Sequence, residues 1–207
     1  MSPYFKNSPG FTLIELIISI GIVSIILAVV VSNQATYIDG VILSNLADEI
    51  GLTISQAQAY GIGVKEFSPG SSDFTASYGL TLSLLGSGSA SAYLSFADRN
   101  GNKFYDGNWS CPTGGISECL NKVNISRGNY IDSVCVVRTS GADQCNTARR
   151  VDVSFLRPDT EAQLIFFNNI GQIFNPSNMK GVKIVLKSPG GSTRSVIVYK
   201  TGQVSVQ

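Results

Sequence analysis

From Phe11 to Val31 the chain reads FTLIELIISIGIVSIILAVVV, 21 residues with a single ionisable group, Glu15. As a helix this run is about 32 Å long at roughly 1.5 Å per residue, enough to cross a hydrocarbon layer of ~30 Å. The apolar core of a secretory signal is usually about 7–15 residues, and no small-x-small cleavage site follows between Ala28 and Asn33. A membrane-spanning anchor is therefore expected. Lys6 precedes the run, whereas Ser32 to Val64 holds Asp39, Asp48 and Glu49 and no Lys or Arg. The positive-inside bias puts the amino terminus in the cytoplasm and the remaining chain outside.

Glu15 is the anomaly in this run. A carboxylate at the centre of a bilayer costs on the order of 3 kcal/mol on insertion scales, so it calls for a positive partner at similar depth. A new amino terminus, made by cutting just before Phe11, would supply one. The residues Gly10-Phe11-Thr12-Leu13-Ile14-Glu15, behind a short polar leader and ahead of the apolar run, resemble the type III signal of type IV prepilins. The resemblance implies cleavage between Gly10 and Phe11 by a prepilin peptidase and N-methylation of Phe11. It further implies an assembly salt bridge from Glu15 to the Phe11 amine of a neighbouring subunit. Many pilins carry Pro at the twenty-second mature position, where this chain has Ser32; Gly21 and Gly40 are the weak points available instead.

Beyond Val31, Ile38, Ile42, Leu46, Ile50 and Ile54 recur every four residues. One helix from about Thr12 to about Ala59 is expected, apolar over 11–31 and amphipathic over 32–60, with its isoleucine stripe on a globular body and Gly61 and Gly63 marking its end. The body, 61–207, reads as β-rich. Gly, Ser, Asn and Asp clusters separate candidate strands at Tyr78–Leu85, Ala92–Ala97, Ser133–Arg138, Val151–Leu156, Ala162–Phe167, Val182–Lys187, Ser195–Tyr199 and Gln203–Val206. The last three form a meander with turns at Pro189-Gly190-Gly191 and Thr201-Gly202. The fold class is α+β: a type IV pilin fold with a long helix packed on two sheets. The RRVDVSFLRP…LIFFNNIGQ and RSVIVYKTGQV stretches resemble H-type pseudopilins and FimT/FimU-type minor pilins.

Four cysteines lie in the body, none in a Cys-x-x-Cys pair. Outside the cytoplasm disulfides are expected. Cys111–Cys119 with Cys135–Cys145 is favoured because each closes a short glycine-containing loop; Cys111–Cys145 with Cys119–Cys135, or free buried thiols, stay open. Asp98, Asn100, Asn102 and Asp106 place side-chain oxygens along one loop, to which Phe104 could add a carbonyl, so the segment is a candidate Ca2+ loop. It departs from an EF-hand at Gly101 and Trp109, and an Asn-Gly turn between strands is the favoured alternative. Residues 176–207 hold Lys180, Lys183, Lys187, Arg194 and Lys200 and no acid. This basic group could meet an acidic surface of an adjacent subunit, grip DNA phosphates, or be a solvated strand face.

The chain has no histidine, and no nucleophile–base pair or phosphate loop is visible, so no enzyme is expected. A minor pilin of a type IV pilus is the first reading, partnered by other pilins, the prepilin peptidase and the assembly platform in the cytoplasmic membrane, and ending in a surface or periplasmic filament. An H-like pseudopilin of a type II secretion system is the alternative. A membrane-anchored calcium- or ligand-binding module that never polymerises is the rival from another class.

Overall fold

The computed structural model describes residues 10–63, 65–66, 70, 74–112 and 117–207, without the side chains of 33, 35 and 36. Met1–Pro9, most of the expected leader and including Lys6, lie outside the described residues. The chain divides into two units, Met1–Ile38 and Asp39–Gln207. Helix α1 runs from Leu13 to Ile62. It continues as α-helix through Gly21, Ser32 and Gly40.

Within the second unit, α1 turns Leu43, Leu46, Ala47, Ile50, Ile54 and Ala57 into the core, none more than 7% exposed. This corrects the expected four-residue stripe. A residue advances about 100° around a helix, so four-residue steps precess by about 40° each. Ile38 and Ile54 therefore cannot share a face: Ile38 is exposed and Ile42 is only half-buried. The alternating three- and four-residue spacing from Leu43 to Ala57 holds the face constant. The helix also runs past its expected end near Ala59. Gly61 is not a stop signal but a close approach: a Cβ there would lie 2.2 Å from the Phe155 carbonyl oxygen. Arg157 N–H donates to the Gly61 carbonyl at 3.1 Å, fastening the helix end to the sheet.

Among the described residues the body holds eleven strands: β1 Ser77–Ser83, β2 Ala92–Asp98, β3 Cys119–Asn124, β4 Tyr130–Arg138, β5 Gln144–Ala148, β6 Arg150–Phe155, β7 Gln163–Phe167, β8 Ile173–Phe174, β9 Met179–Lys187, β10 Thr193–Tyr199 and β11 Val204–Val206. They form two sheets, ordered β3-β2-β1-β6-β7-β8 and β11-β10-β9-β4-β5. Every pairing is antiparallel. The inward residues of both sheets and of α1 belong to one core, with Tyr78, Leu80, Val153, Phe155, Phe166, Ile184, Leu186 and Val198 among them. The β9–β11 meander is present, and its two turns place Gly191 and Gly202 at φ +87°, where glycine carries no steric penalty.

β3, β5 and β8 were not among the expected strands. β3 and β5 are edge strands whose side chains are mostly solvent-facing, so they lack the alternation that marks a half-buried strand. β8 is two residues long. β4, β9 and β10 each begin two or three residues earlier than expected.

β1 alternates Tyr78, Leu80 and Leu82 with the small or polar Ser77, Gly79, Thr81 and Ser83, yet all seven are buried. Its outer face is covered by a second, smaller core of Leu94, Phe96 and Tyr105, against which Trp109, Cys111 and Cys119 pack. The segment after β2 therefore folds back over the six-stranded sheet.

Candidate functional site

In the first unit every large apolar side chain from Phe11 to Val31 is exposed, none by less than 52%. Burying one such side chain is worth about 1.5–3 kcal/mol relative to water. The sum far exceeds the cost of carrying one carboxylate into lipid, and the segment is long and apolar enough to cross a membrane.

Its hydroxyls are satisfied internally. Ser19, Ser24 and Ser32 donate to the carbonyls of Glu15, Ile20 and Val29 at 2.7, 2.8 and 2.9 Å. Thr12 caps the helix, its Oγ1 accepting from Glu15 N–H at 3.4 Å and its carbonyl from Leu16 N–H at 3.1 Å. Thr12-x-x-Glu15 is thus the spacing of a capping box, a signal present in the sequence but not read from it. The reciprocal half is missing: among the described residues the Glu15 carboxylate has no hydrogen-bond or ion-pair partner. Glu15 is the polar group of this segment left without a partner, about one helical turn beyond the Gly10–Phe11 junction.

The candidate calcium residues spend their oxygens on N–H groups. Asp98, 2% exposed, accepts from Gly101 N–H and Lys103 N–H at 2.8 Å each and from Ser77 Oγ at 3.1 Å. Asn100 and Asn102 accept from the N–H groups two residues on, both at 3.0 Å. Their amides donate to Asp106 Oδ2 at 2.7 and 3.1 Å. Phe104 lays its ring edge-on against Phe167, centroids 5.7 Å apart. Among the described residues no three His, Cys, Asp or Glu are placed to hold a metal ion. The loop bends at Gly101 and Lys103, at φ +79° and +72°.

Two carboxylates that the sequence did not single out complete this network. Glu118, 6% exposed, accepts from Arg99 N–H and Asp106 N–H at 3.2 and 3.3 Å. Burial pushes its carboxyl up to about 7; those two N–H donors oppose the rise and the neighbouring Asp106 carboxylate adds to it. Asp152, fully buried on β6, accepts from Thr81 Oγ1 at 2.5 Å, Tyr105 N–H at 2.8 Å and Arg150 Nε at 2.9 Å. Arg150 also bridges to the Tyr105 carbonyl and stacks 4.3 Å over the Phe167 ring. Burial raises the Asp152 carboxyl, and the Arg150 guanidinium opposes it first among its partners. The chemistry here is loop fastening.

Disulfides join Cys111 to Cys119 and Cys135 to Cys145. The first ties the returning segment to β3; the second ties β4 to β5 at the edge of the five-stranded sheet.

The basic group does not form one face. Lys183 and Lys187 alternate with the buried Val182, Ile184 and Leu186, so they share the outer face of β9. Lys187 lies 3.9 Å from Asp132. Lys180 is the extra residue at a β-bulge against β4, its ammonium 5.2 Å over the Tyr199 ring. Arg194 pairs with Leu186 and so has the opposite parity, and Lys200 sits in the exposed turn before β11.

Residues 5–31 match the family model of the prokaryotic N-terminal methylation motif. No curated protein and no solved structure matches the chain. The long helix followed by two antiparallel sheets is consistent with the type IV pilin fold. The methylation motif at 5–31 and the apolar anchor it opens support a type IV prepilin-like protein, a pilin-like or pseudopilin subunit.

Proposed function

We propose that the chain is a minor pilin of a type IV pilus. A prepilin peptidase cuts after Gly10, Phe11 becomes the N-methylated first residue, and Glu15 pairs with the Phe11 amine of a neighbouring subunit. The body lies outside the cytoplasmic membrane until the assembly platform draws the subunit into a filament. The observation that carries this reading is the Glu15 carboxylate, without a partner among the described residues, in an apolar stretch from Phe11 to Val31 whose large side chains are all exposed, about one helical turn beyond the Gly10–Phe11 junction. In lipid such a group is stabilised chiefly by an opposite charge. The pilin-like family is structural, and the body's two sheets and two disulfides suit an exposed, load-carrying subunit.

An H-like pseudopilin of a type II secretion system shares all these features and is the second reading. The β6–β7 and β10–β11 stretches that resemble H-type pseudopilins and FimT/FimU-type minor pilins support both. A non-polymerising membrane-anchored module predicts instead that Glu15 is dispensable.

The test is a pair of variants expressed with the pilus machinery. Gly10→Val should accumulate as uncut precursor in the membrane. Glu15→Val should insert and be cut, yet be depleted from sheared filaments. Normal filament incorporation of Glu15→Val would refute the pairing.

A further inference from the structure

The loops at one end of the second unit form a surface that is apolar and cationic. Gly190, in the β9–β10 turn, lies beside Asp39, where the chain enters this unit: a Cβ on it would sit 3.1 Å from Asp39 Oδ2. The other loops of this end follow by contact. Gly128 of the β3–β4 turn packs against the Pro189 ring. Ile125 and Ile131 N–H donate to the Ser91 and Ala90 carbonyls of the β1–β2 connection. Leu84 N–H donates to the Arg149 carbonyl, Arg149 N–H donates to the Phe167 carbonyl, and Gly171 of the β7–β8 turn faces the Leu85 side chain. Ile170 and Ile173 stand out from that turn, 70% and 49% exposed, beside the half-buried Leu85. Across the loops 84–91, 125–129, 168–172 and 188–192 and position 149 the charged residues are Arg127 and Arg149, both exposed, and no acid occurs. Among the described residues neither arginine has a carboxylate partner. The opposite end, where Gly61 meets Phe155, carries Asp143, Asp159 and Glu161 in its turns.

We propose that this end of the body rests on the headgroup layer of the membrane that anchors the chain, with Ile170, Ile173 and Leu85 entering the layer and Arg127 and Arg149 binding lipid phosphates. The inference rests on the reading of residues 11–31 as a membrane anchor. Eight residues lead from Val31 to Asp39. They cover about 12 Å as α-helix and about 28 Å if fully drawn out, so the entry end is tethered close to the lipid. An exposed apolar patch with a basic rim suits an interface that is apolar below and anionic above. With no acid in these loops, both arginines are free for phosphate. That attraction fades within a Debye length, so the short tether is what makes it effective. Anionic headgroups therefore strengthen the contact. The same layer repels the acidic turns of the opposite end, so one end alone is matched to it. A filament holds no such layer, so the contact belongs to the subunit waiting in the membrane.

The test uses the full wild-type chain in nanodiscs of phosphatidylcholine, alone or with about one-third phosphatidylglycerol, each with a trace of lipid carrying a diazirine in its headgroup. After illumination, mass spectrometry should find lipid adducts at Leu85, Ile170 and Ile173 several-fold above those in the turns 139–143 and 157–161. Phosphatidylglycerol should raise the yield at these tips several-fold, and raising salt from about 0.05 to 0.5 M should remove most of that gain. Arg127→Glu/Arg149→Glu should abolish the gain, and Ile170→Asp should lower labelling at Leu85 and Ile173 several-fold; both replace exposed loop residues, so the fold is kept. Equal labelling of the two ends, or labelling of the tips that neither variant changes, would overturn the proposal. Adducts confined to residues 11–31 would overturn the resting surface and leave the anchor intact. No adducts in 11–31 would overturn the anchor as well. Tips without adducts, protected from hydrogen exchange only when a second copy shares the disc, would assign the patch to that copy and overturn the proposal.

Discussion

Replacing Glu118 by Gln should change how the body's stability responds to pH. In the folded chain burial pushes the Glu118 carboxyl up to about 7, against 4.5 as its ordinary value. The folded state therefore keeps a proton that the unfolded state has already released. That gap corresponds to about 3 kcal/mol, an upper value because the neighbouring Asp106 is exposed and its charge is partly screened. The sign follows from linkage: the contribution is fully present below pH 4.5 and is lost as pH rises through about 7. The amide introduced by Glu118→Gln is neutral throughout and can donate to Asp106 as the protonated acid does. Unfolding of the full chain in mild detergent, followed by circular dichroism at pH 5 and pH 8, reads the effect. The stability of the wild type relative to Glu118→Gln should fall by up to about 2.5 kcal/mol from pH 5 to pH 8, part of the total being lost already below pH 5. An unchanged difference would refute the claim that Glu118 is protonated in its folded setting.

Asp152→Ala strands the Arg150 guanidinium, the Thr81 hydroxyl and the Tyr105 N–H in a buried site, and should cost about 3–5 kcal/mol in the same unfolding assay. Gly61→Ala drives a methyl group into the Phe155 carbonyl and should lower stability by about 1–3 kcal/mol, with the helix end displaced in hydrogen exchange. Calcium titrated to about millimolar should release no heat, because the Asp98–Asp106 oxygens already accept N–H groups; a saturable signal would show that the loop reopens around an ion.

The amino-terminal motif was legible because everything that defines it is contiguous. The length of the apolar run, the Gly10–Phe11 junction and the position of Glu15 need no tertiary contact to be read. The central strands were legible for a similar reason: β6, β9 and β10 each carry a short run rich in β-branched residues, bounded by turn residues. Edge strands β3 and β5 face solvent and carry no such pattern. The helix stripe failed because a four-residue repeat looks regular in sequence but drifts around a real helix, so Ile38 was placed with Ile54. The Asp98–Asp106 segment shows a different limit. A run of alternating oxygens suits either a cation or a set of N–H donors. The network around the segment is completed by Asp152, 47 positions from the Tyr105 N–H that it binds, and by Glu118, 12 positions from Asp106. Separation of that kind leaves no local trace. The basic residues near the C-terminus were visible as a group, but the bulge at Lys180 and the parity of Arg194 depend on the register of β9 with β4 and β10.

Intact-mass spectrometry of the chain recovered from sheared filaments tests the whole account at its root. It should show a polypeptide beginning at Phe11, heavier by one methyl group and lighter by the four hydrogens of two disulfides. A filament-borne chain that still carries Met1–Gly10 would contradict it, because Glu15 would then have no neighbouring amine to meet.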